Sequence, residues 1–312
     1  MKRTRLWLVS GFSLLLMFGF ALTQGDAQPN TVKKIVDGVW FREGDLKNLG
    51  HCNNTIIEMS DYLIVVDANF PSGARAALED AKKVSKKPVK LVFDTHHHGD
   101  HAYGNAIWTK QGAVTLAYVG VAEEMKRYEP ARWKDTAKQR KDVGELNLDA
   151  PEPPKETFTK SPHVVKDAFR TVEFRFLGWA HTRGDGFVYL PKEKVLCTGD
   201  AGVNGPYNYT ADGNIGNWPK VMDAALKLDV VHVLPGHGPA GGKEILQGQR
   251  DFMLELHKAV SAAAKKSDKV MAADVKLPDS VKNWVGDSFK AQVQDAFNEI
   301  KQGKPTGDIP HK

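Results

Sequence analysis

The feature that most limits the fold is an apolar stretch, VKLVFD at residues 89–94, followed at once by the polar string THHHGDH at residues 95–101. A short apolar run rich in Val, Leu and Phe predicts a buried strand. In α/β folds, functional side chains commonly lie at the carboxyl ends of strands. The sequence therefore predicts a mixed α/β fold with a dense histidine cluster at one edge of a buried sheet.

The spacing within this cluster indicates metal ligands. Alternate side chains of an extended segment point the same way, so His96 and His98 can face one cation while His97 faces the other side as a bystander. A turn after His98 lets Asp100 and His101 face a second cation. Imidazole and carboxylate ligands suit zinc, with iron or manganese as alternatives. Four side chains cannot complete two sites, so we expect further ligands elsewhere.

Three more candidates follow apolar, strand-like stretches. They are His181 in GWAHTRGD, Asp200 in VLCTGD and His237 in VLPGHG, where the flanking glycines let the backbone approach closely. Taken singly, each has an ordinary structural explanation, as a buried histidine, a turn former or a loop residue. All three share the context of the first cluster, which makes coincidence a poor explanation.

The rest of the chain is organised as two β-rich halves and a helical end. Each half contains several stretches rich in β-branched and aromatic residues. The other predicted features are an amphipathic helix at about 72–85, a charged helix over 119–142, a proline-rich lid or crossover at 146–158, a helix introduced by Asn217 with Pro219 in its first turn, and helices from residue 243 onward. We expect the C-terminal helices to cover the core, with a partner surface or a substrate wall as the alternatives.

Residues 1–27 have the pattern of a signal peptide. A basic start, MKRTR, precedes an apolar stretch, and small residues stand at Gly25 and Ala27, the positions that a signal peptidase reads. A retained anchor fits less well, because Ser and Gly interrupt the apolar stretch and it is short for a span. We therefore expect an exported protein, periplasmic or secreted, with no stable membrane span after cleavage.

Charge and cysteine content exclude little beyond nucleic-acid binding. The formal charge of the whole chain is +5, and it falls to about +3 without the signal peptide, which is too mild for a nucleic-acid partner. The two cysteines, Cys52 and Cys197, lie in apolar strand-like stretches. Two buried thiols are the simplest interpretation, while an oxidising compartment would also permit one disulfide.

The motifs THHHGDH, AHTRGD, CTGD and PGHG, in this order between about residues 31 and 240, resemble those of the metallo-β-lactamase-fold hydrolase superfamily. The resemblance implies a four-layer αββα sandwich over residues 28–242, with the C-terminal helical region 243–312 packed on it. It also implies a dinuclear zinc site. The implied ligands are His96, His98 and His181 for the first metal, Asp100, His101 and His237 for the second, and Asp200 between them. Asp67 would bind no metal itself and would steady the loop that carries the histidines.

The resemblance implies hydrolysis by metal-bound hydroxide, with Asp100 as the catalytic residue that orients it. The bond would be an ester, lactone, thioester or amide of a small molecule. Metallo-β-lactamases generally carry Cys or Ser where this chain has Asp200, and the Cys-Gly-Arg stretch of glyoxalase II is absent after Asp200. Two alternatives stay open: a β-lactamase, and an exported metal-bearing accessory or binding protein without turnover.

Substrate contacts are expected from the loop after Asp200. Tyr207, Asn208 and Tyr209 offer hydrogen bonds to a carbonyl oxygen or stacking on a ring. Arg183, two residues after His181, suits an anionic substrate or an ion pair with Asp185. The oligomeric state is left open by the sequence.

Overall fold

The structure is a computed structural model that describes residues 29–309. The predicted signal peptide, residues 1–27, lies outside the described residues. The described part of the chain forms two β-sheets with helices on their outer faces.

The first sheet has seven strands arranged in chain order. They are β1 (Val32–Val36), β2 (Val39–Arg42), β3 (Asn54–Glu58), β4 (Leu63–Val66), β5 (Val89–Asp94), β6 (Val114–Tyr118) and β7 (Glu156–Phe158). Strands β1 to β4 pair antiparallel, and β4 to β7 pair parallel. Strand β5 is the stretch predicted to precede the histidine cluster, and it lies inside the sheet.

The second sheet has five strands in the order β12-β11-β10-β9-β8. They are β8 (His163–Lys166), β9 (Thr171–Phe176), β10 (Gly186–Leu190), β11 (Val195–Gly199) and β12 (His232–Pro235). All neighbours pair antiparallel except β11 and β12, which are parallel. Strands β4 and β5 are parallel, so the loops that follow them begin at the same edge of the first sheet. Strands β11 and β12 are also parallel, so the loops that follow them begin at one edge of the second sheet.

Nine α-helices occur among the described residues. They are α1 (Leu46–Leu49), α2 (Pro71–Val84), α3 (Gly99–Ala102), α4 (Asn105–Lys110), α5 (Val119–Gln139), α6 (Lys141–Gly144), α7 (Trp218–Leu226), α8 (Lys243–Ala264) and α9 (Phe289–Gln302). Short 3-10 helices lie at Ala272–Asp274, Asp279–Trp284 and Thr306–Asp308. Helices α2 and α5 match the two predicted in the first half. No helix within residues 29–309 is both long and apolar enough to cross a membrane.

Packing divides the molecule into four layers. Between the sheets, Phe93 of β5 and Phe174 of β9 lie 4.6 Å apart by ring centroid in a core shared by both sheets. The alanines of α2 cover the outer face of the first sheet, while α7, α8 and α9 cover the outer face of the second. Burial of these apolar faces is the main stabilising contribution. The arrangement confirms the predicted αββα sandwich.

Two local predictions can be compared with the structure. The proline-rich segment, 146–158, leads from α6 into β7 and ends there, at the edge of the first sheet. The crossover to β8 in the second sheet is the short stretch 159–162 that follows it, so the segment itself is not the predicted crossover. Asn217 does precede α7, but its side chain does not cap the helix. Its Nδ2 atom instead donates to the Trp179 carbonyl, 2.9 Å away. The Asn217 side chain thus links the helix start to the segment before His181 and does not accept from the helix amides.

The two cysteines are buried and unpaired. Cys52 and Cys197 are 0% and 2% exposed, which agrees with the interpretation as core thiols.

Candidate metal centre

The histidine cluster begins where β5 ends, and Asp67 holds the loop that carries it. The Asp67 carboxylate accepts hydrogen bonds from the Thr95 amide at 2.8 Å and the Thr95 hydroxyl at 2.7 Å. Its other oxygen accepts from His101 Nδ1 at 2.9 Å. Asp67 itself has a left-handed backbone, with φ of 68°, which is uncommon for a residue other than glycine. The carboxylate thus ties both ends of the loop to β4.

Helix α3 turns the chain so that two sets of side chains converge. The donor atoms of His96, His98 and His181 lie within 4.8 Å of one another, and so do those of Asp100, His101 and His237. In the first set, His181 Nε2 is 3.0 Å from His98 Nδ1. In the second set, His237 Nε2 is 3.0 Å from an Asp100 oxygen. We call these the first and second groups.

Asp200 lies between the two groups. One carboxylate oxygen is 3.3 Å from His101 Nε2, and the other is 3.4 Å from His237 Nε2 and 3.8 Å from His181 Nε2. His96 Nε2 is 4.0 Å from the same oxygen. Asp200 therefore faces ligand atoms of both groups, and the structure brings all seven predicted metal-binding residues to one place.

Close backbone approach makes room for this carboxylate. A Cβ atom at Gly236 would lie 2.1 Å from Asp200 Oδ1, so only glycine fits there. Gly238, on the other side of His237, has a φ of +86°, a conformation that glycine adopts without strain. The glycines flanking His237 thus serve the close approach that the sequence predicted.

Hydrogen bonds fix which nitrogen of each histidine faces inward. The Thr95 hydroxyl donates to Asp67 and lies 3.1 Å from His96 Nδ1, leaving His96 Nε2 buried without a partner. His181 Nδ1 donates to the Tyr209 carbonyl at 2.9 Å. His98 Nε2 donates to Asp212 at 2.7 Å. Each outer N–H is held by an acceptor, so each inner nitrogen presents a lone pair.

The electrostatics of the centre suit a divalent cation. Burial, followed by the neighbouring His98, lowers the pKa of His181 to about 3, and burial lowers the pKa of His96 well below its usual value. Burial alone would lower the pKa of His237, but the carboxylates Asp200 and Asp100 outweigh this effect and raise the pKa to about 9. Burial opposes protonation of His101, but Cys52, Asp200 and Asp100 raise the pKa of His101 well above its usual value. Neutral imidazoles at His96 and His181, the carboxylates and the buried His96 Nε2, which has no hydrogen-bond partner, form a donor set that a metal would complete, with release of the protons of His101 and His237.

Behind the first group lies a buried polar network that the sequence did not reveal. Asp212 accepts two hydrogen bonds from Arg132, at 2.7 and 2.9 Å, besides that from His98. His97 belongs to neither the first nor the second group, and its ring lies 4.6 Å from that of His98 by centroid, within this network. Its Nε2 atom lies 3.4 Å from Asp212 and 3.6 Å from Glu129. Arg132 and Asp212 lie 80 residues apart, so no local spacing could have linked them.

A cleft of about 510 Å³ opens onto the centre. Its other walls are formed by Phe70, Gly99, Tyr103, Glu129, Arg132, Asp135, Thr136, Gln139, Tyr207 and Tyr209. A second recess of about 490 Å³, bordered by α1, meets the cleft at Tyr207 and His237. The two predicted tyrosines thus lie beside the predicted metal ligands.

The other two predicted substrate contacts lie elsewhere. Asn208 is buried, and its side-chain oxygen accepts a hydrogen bond from Gln249 at 2.7 Å. Arg183 forms ion pairs with Asp308 and with Glu124 and lies over the Trp179 ring. The alternative pairing of Arg183 with Asp185 is wrong, because that carboxylate instead accepts hydrogen bonds from Ala180 and Thr182. Neither Asn208 nor Arg183 is among the residues that line the cleft.

Comparison with known proteins agrees with this geometry. A family model described as the metallo-beta-lactamase superfamily matches residues 48–244. The chain belongs to the metallo-beta-lactamase superfamily. This match includes all seven predicted metal ligands, and it ends as α8 begins.

Solved structures of superfamily members share the fold. A metallo-beta-lactamase from Pontibacter korlensis is 22% identical, with a TM-score of 0.57, over 72% of this chain and 98% of that one. The metallo-beta-lactamase FIM-1 from Pseudomonas aeruginosa, in its mono-zinc form, is 24% identical, with a TM-score of 0.57, over 75% of this chain and 98% of that one. At these identities the likeness establishes the fold.

Proposed function

We propose that this protein is a dinuclear zinc hydrolase. The single observation that carries the proposal is that seven side chains converge with Asp200 between two groups of donors, while His96 Nε2 is buried without a hydrogen-bond partner. Zinc suits this set of imidazoles and carboxylates, with iron or manganese as the alternatives. The first group would hold one ion and the second group the other, with Asp200 shared.

The reaction proposed is cleavage of an ester, lactone, thioester or amide bond. A pair of divalent cations supplies an activated water and stabilises the negative charge that develops at the reacting carbonyl. Asp100 is the proposed catalytic residue, because its carboxylate lies at the cleft beside His237 and can accept and hold the proton of the attacking water.

Tyr209 is the proposed hydrogen-bond donor to the substrate. Its ring lies 5.3 Å from that of His98 by centroid and borders the cleft. Burial, aided by Asp212, raises the pKa of Tyr209 to about 12. The hydroxyl therefore stays protonated at neutral pH and can donate to a carbonyl oxygen.

The charges of the cleft away from the proposed metal ligands favour an uncharged part of the substrate there. Apart from those ligands, Arg132 is the cation among the described residues that line the cleft, and its guanidinium is bound by Asp212 and Glu129. Aromatic side chains from Phe70, Tyr103 and Tyr207 make up much of the remaining wall. An anionic group bound in this part of the cleft, away from the metal ions, would find Arg132 already paired with two carboxylates.

β-Lactam hydrolysis is the second candidate, because the structural neighbours named above are metallo-beta-lactamases. A substrate panel separates the two. Zinc-loaded protein should cleave simple esters or lactones and leave nitrocefin intact, and Asp100→Ala should abolish the activity. Nitrocefin turnover without ester turnover would favour the second candidate, and no turnover of any substrate with no bound metal would overturn the hydrolase proposal.

We further propose export by a signal peptide over residues 1–27, supported by the basic, apolar and small-residue pattern of that segment. Expression of the full chain should yield a mature protein that begins at Gln28 and fractionates outside the cytoplasm. An intact N-terminus in the cytoplasmic fraction would contradict it.

A further inference from the structure

The loop of residues 200–217, between β11 and α7, supports two ligands of the first group. The Tyr209 carbonyl accepts the hydrogen bond of His181 Nδ1, and the Asp212 carboxylate accepts that of His98 Nε2. Both histidines can turn only if these acceptors move. The position of this loop therefore sets the direction in which two of the three donors of the first group point.

Alternate residues of the loop face opposite ways. Tyr207 and Tyr209 border the cleft, whereas Asn208 and Thr210 are buried against the C-terminal helices. Gln249 of α8 donates to the Asn208 side chain at 2.7 Å, and Gln292 of α9 donates to the Asn208 carbonyl at 2.7 Å. The Thr210 hydroxyl donates to Asp295 of α9 at 2.6 Å.

Helix α9 also holds the far end of the loop. The Glu299 carboxylate accepts hydrogen bonds from the amides of Ile215 and Gly216, at 3.0 and 2.7 Å. The Gly307 amide, beyond α9, donates to the Gly213 carbonyl at 3.0 Å. Asp212 therefore lies between two stretches of the loop that are hydrogen-bonded to the C-terminal region.

These contacts come from a part of the chain outside most of the family match. The match ends at residue 244, while α8 begins at Lys243 and α9 at Phe289. A helix that only covered the core would need an apolar face, as α9 has in Val293 and Ala296. The buried polar side chains of Gln292 and Glu299, 1% and 8% exposed, instead serve the loop.

We propose that the C-terminal helices are a positioning element for the first metal group. Gln292, Asp295 and Glu299 are positioning residues, which act on His98 and His181 through the loop. This inference rests on the proposed dinuclear centre. It assigns to the helices a part in metal affinity, beyond their cover of the core.

The test measures zinc binding to the metal-free, full-length protein by titration against a chromophoric chelator. The double variant Gln292→Leu/Asp295→Ala should bind the zinc of the first group more weakly, by at most the roughly 10–100-fold that follows loss of a direct hydrogen-bond partner of a ligand, because it displaces the partners Tyr209 and Asp212 without removing them. The other zinc should bind as in the wild type. The pattern should match that of His181→Ala and differ from that of His237→Ala. Hydrogen exchange of the Tyr209 and Asp212 amides should quicken in the same variant.

Matched controls separate positioning from stability. Val293→Ala weakens the packing of the same helix but keeps its hydrogen bonds, so both zinc affinities should stay at the wild-type value. Lys301→Ala removes an ion pair with Asp268 on the surface of α9 and should also change neither. Gln292→Leu/Asp295→Asn keeps an oxygen acceptor for Thr210 and should recover part of the lost affinity.

The outcomes are distinguishable. Unchanged zinc affinities in the double variant, or an equal loss in Val293→Ala, would overturn the inference while leaving the proposed hydrolase intact. A wild-type protein that binds no zinc would overturn the proposed function and this inference with it.

Discussion

The Asp212 carboxylate lies 2.7 Å from His98 Nε2 and is itself held by two hydrogen bonds from Arg132. The Asp212 side chain is fully inaccessible, while that of His98 is 14% exposed where it borders the cleft. A carboxylate that receives the outer N–H of a histidine fixes its ring and makes the inner nitrogen a better donor. The proposed ligand His98 is therefore held in position by residues far from it in the chain.

Replacing Asp212 should weaken the first metal group. Asp212→Ala removes the acceptor of His98 and leaves Arg132 paired with Glu129 alone, so zinc affinity should fall by roughly 10–100-fold. Asp212→Asn keeps one oxygen acceptor and should lose less. Chelator competition gives both affinities, and a wild-type value in Asp212→Ala would show that His98 needs no support.

Replacing Asp67 should lower the stability of the protein as well as metal binding. Asp67→Ala leaves the buried N–H groups of Thr95 and His101 without acceptors, at a cost of roughly 1–3 kcal/mol for each. Urea unfolding of the metal-free protein measures the loss. Asp67→Asn tolerates the same left-handed backbone and keeps an acceptor, so a loss in Asn as large as in Ala would contradict this explanation.

Asp167 should make the free energy of unfolding depend on pH in the acid range. Burial alone would raise the pKa of the Asp167 carboxyl, but hydrogen bonds from the amides of Ser60, Arg170 and Phe169 lower it to about 2. A folded pKa below the unfolded value of about 3.9 contributes stability above about pH 4, which is lost as the pH falls towards 2. The difference in free energy of unfolding between wild type and Asp167→Ala should therefore shrink over this range.

Urea unfolding at several pH values tests this dependence. Asp149→Ala, which changes an exposed carboxylate on the proline-rich segment, should reproduce the wild-type profile. A difference between wild type and Asp167→Ala that stays constant from pH 7 to pH 3 would refute the prediction.

The two thiols should be unreactive in the native protein. Burial raises the pKa of Cys52 and of Cys197 to about 12, so neither thiolate nor access is available to Ellman's reagent. In guanidinium without reductant, two thiols per chain should react. No reaction in denaturant would reveal a disulfide and contradict the unpaired cysteines of the structure.

The sequence was sufficient for the parts of the site that depend on local geometry. Metal-ligand candidates such as His96 and Asp200 follow apolar strands, and strand ends are readable from composition. The halves of the sandwich and the C-terminal helices follow from periodicity in the same way.

Long-range partners could not be read from the chain. Asn208 and Tyr209 are adjacent in the sequence, and both were predicted to contact the substrate. Tyr209 borders the cleft, whereas the side chain of Asn208 is bound by Gln249 of α8. Arg183 forms an ion pair with Asp308, 125 residues away in the chain, because the C-terminal segment packs next to the loop that carries Arg183. Such pairings depend on tertiary packing, and no spacing encodes them.

Zinc stoichiometry tests the central claim most directly, that seven side chains form one centre shared through Asp200. After loading and dialysis, metal analysis of the wild type should give two zinc ions per chain, and Asp200→Ala should lose affinity for both. A wild type that keeps no zinc, or an Asp200→Ala variant that binds two ions with wild-type affinity, would contradict it.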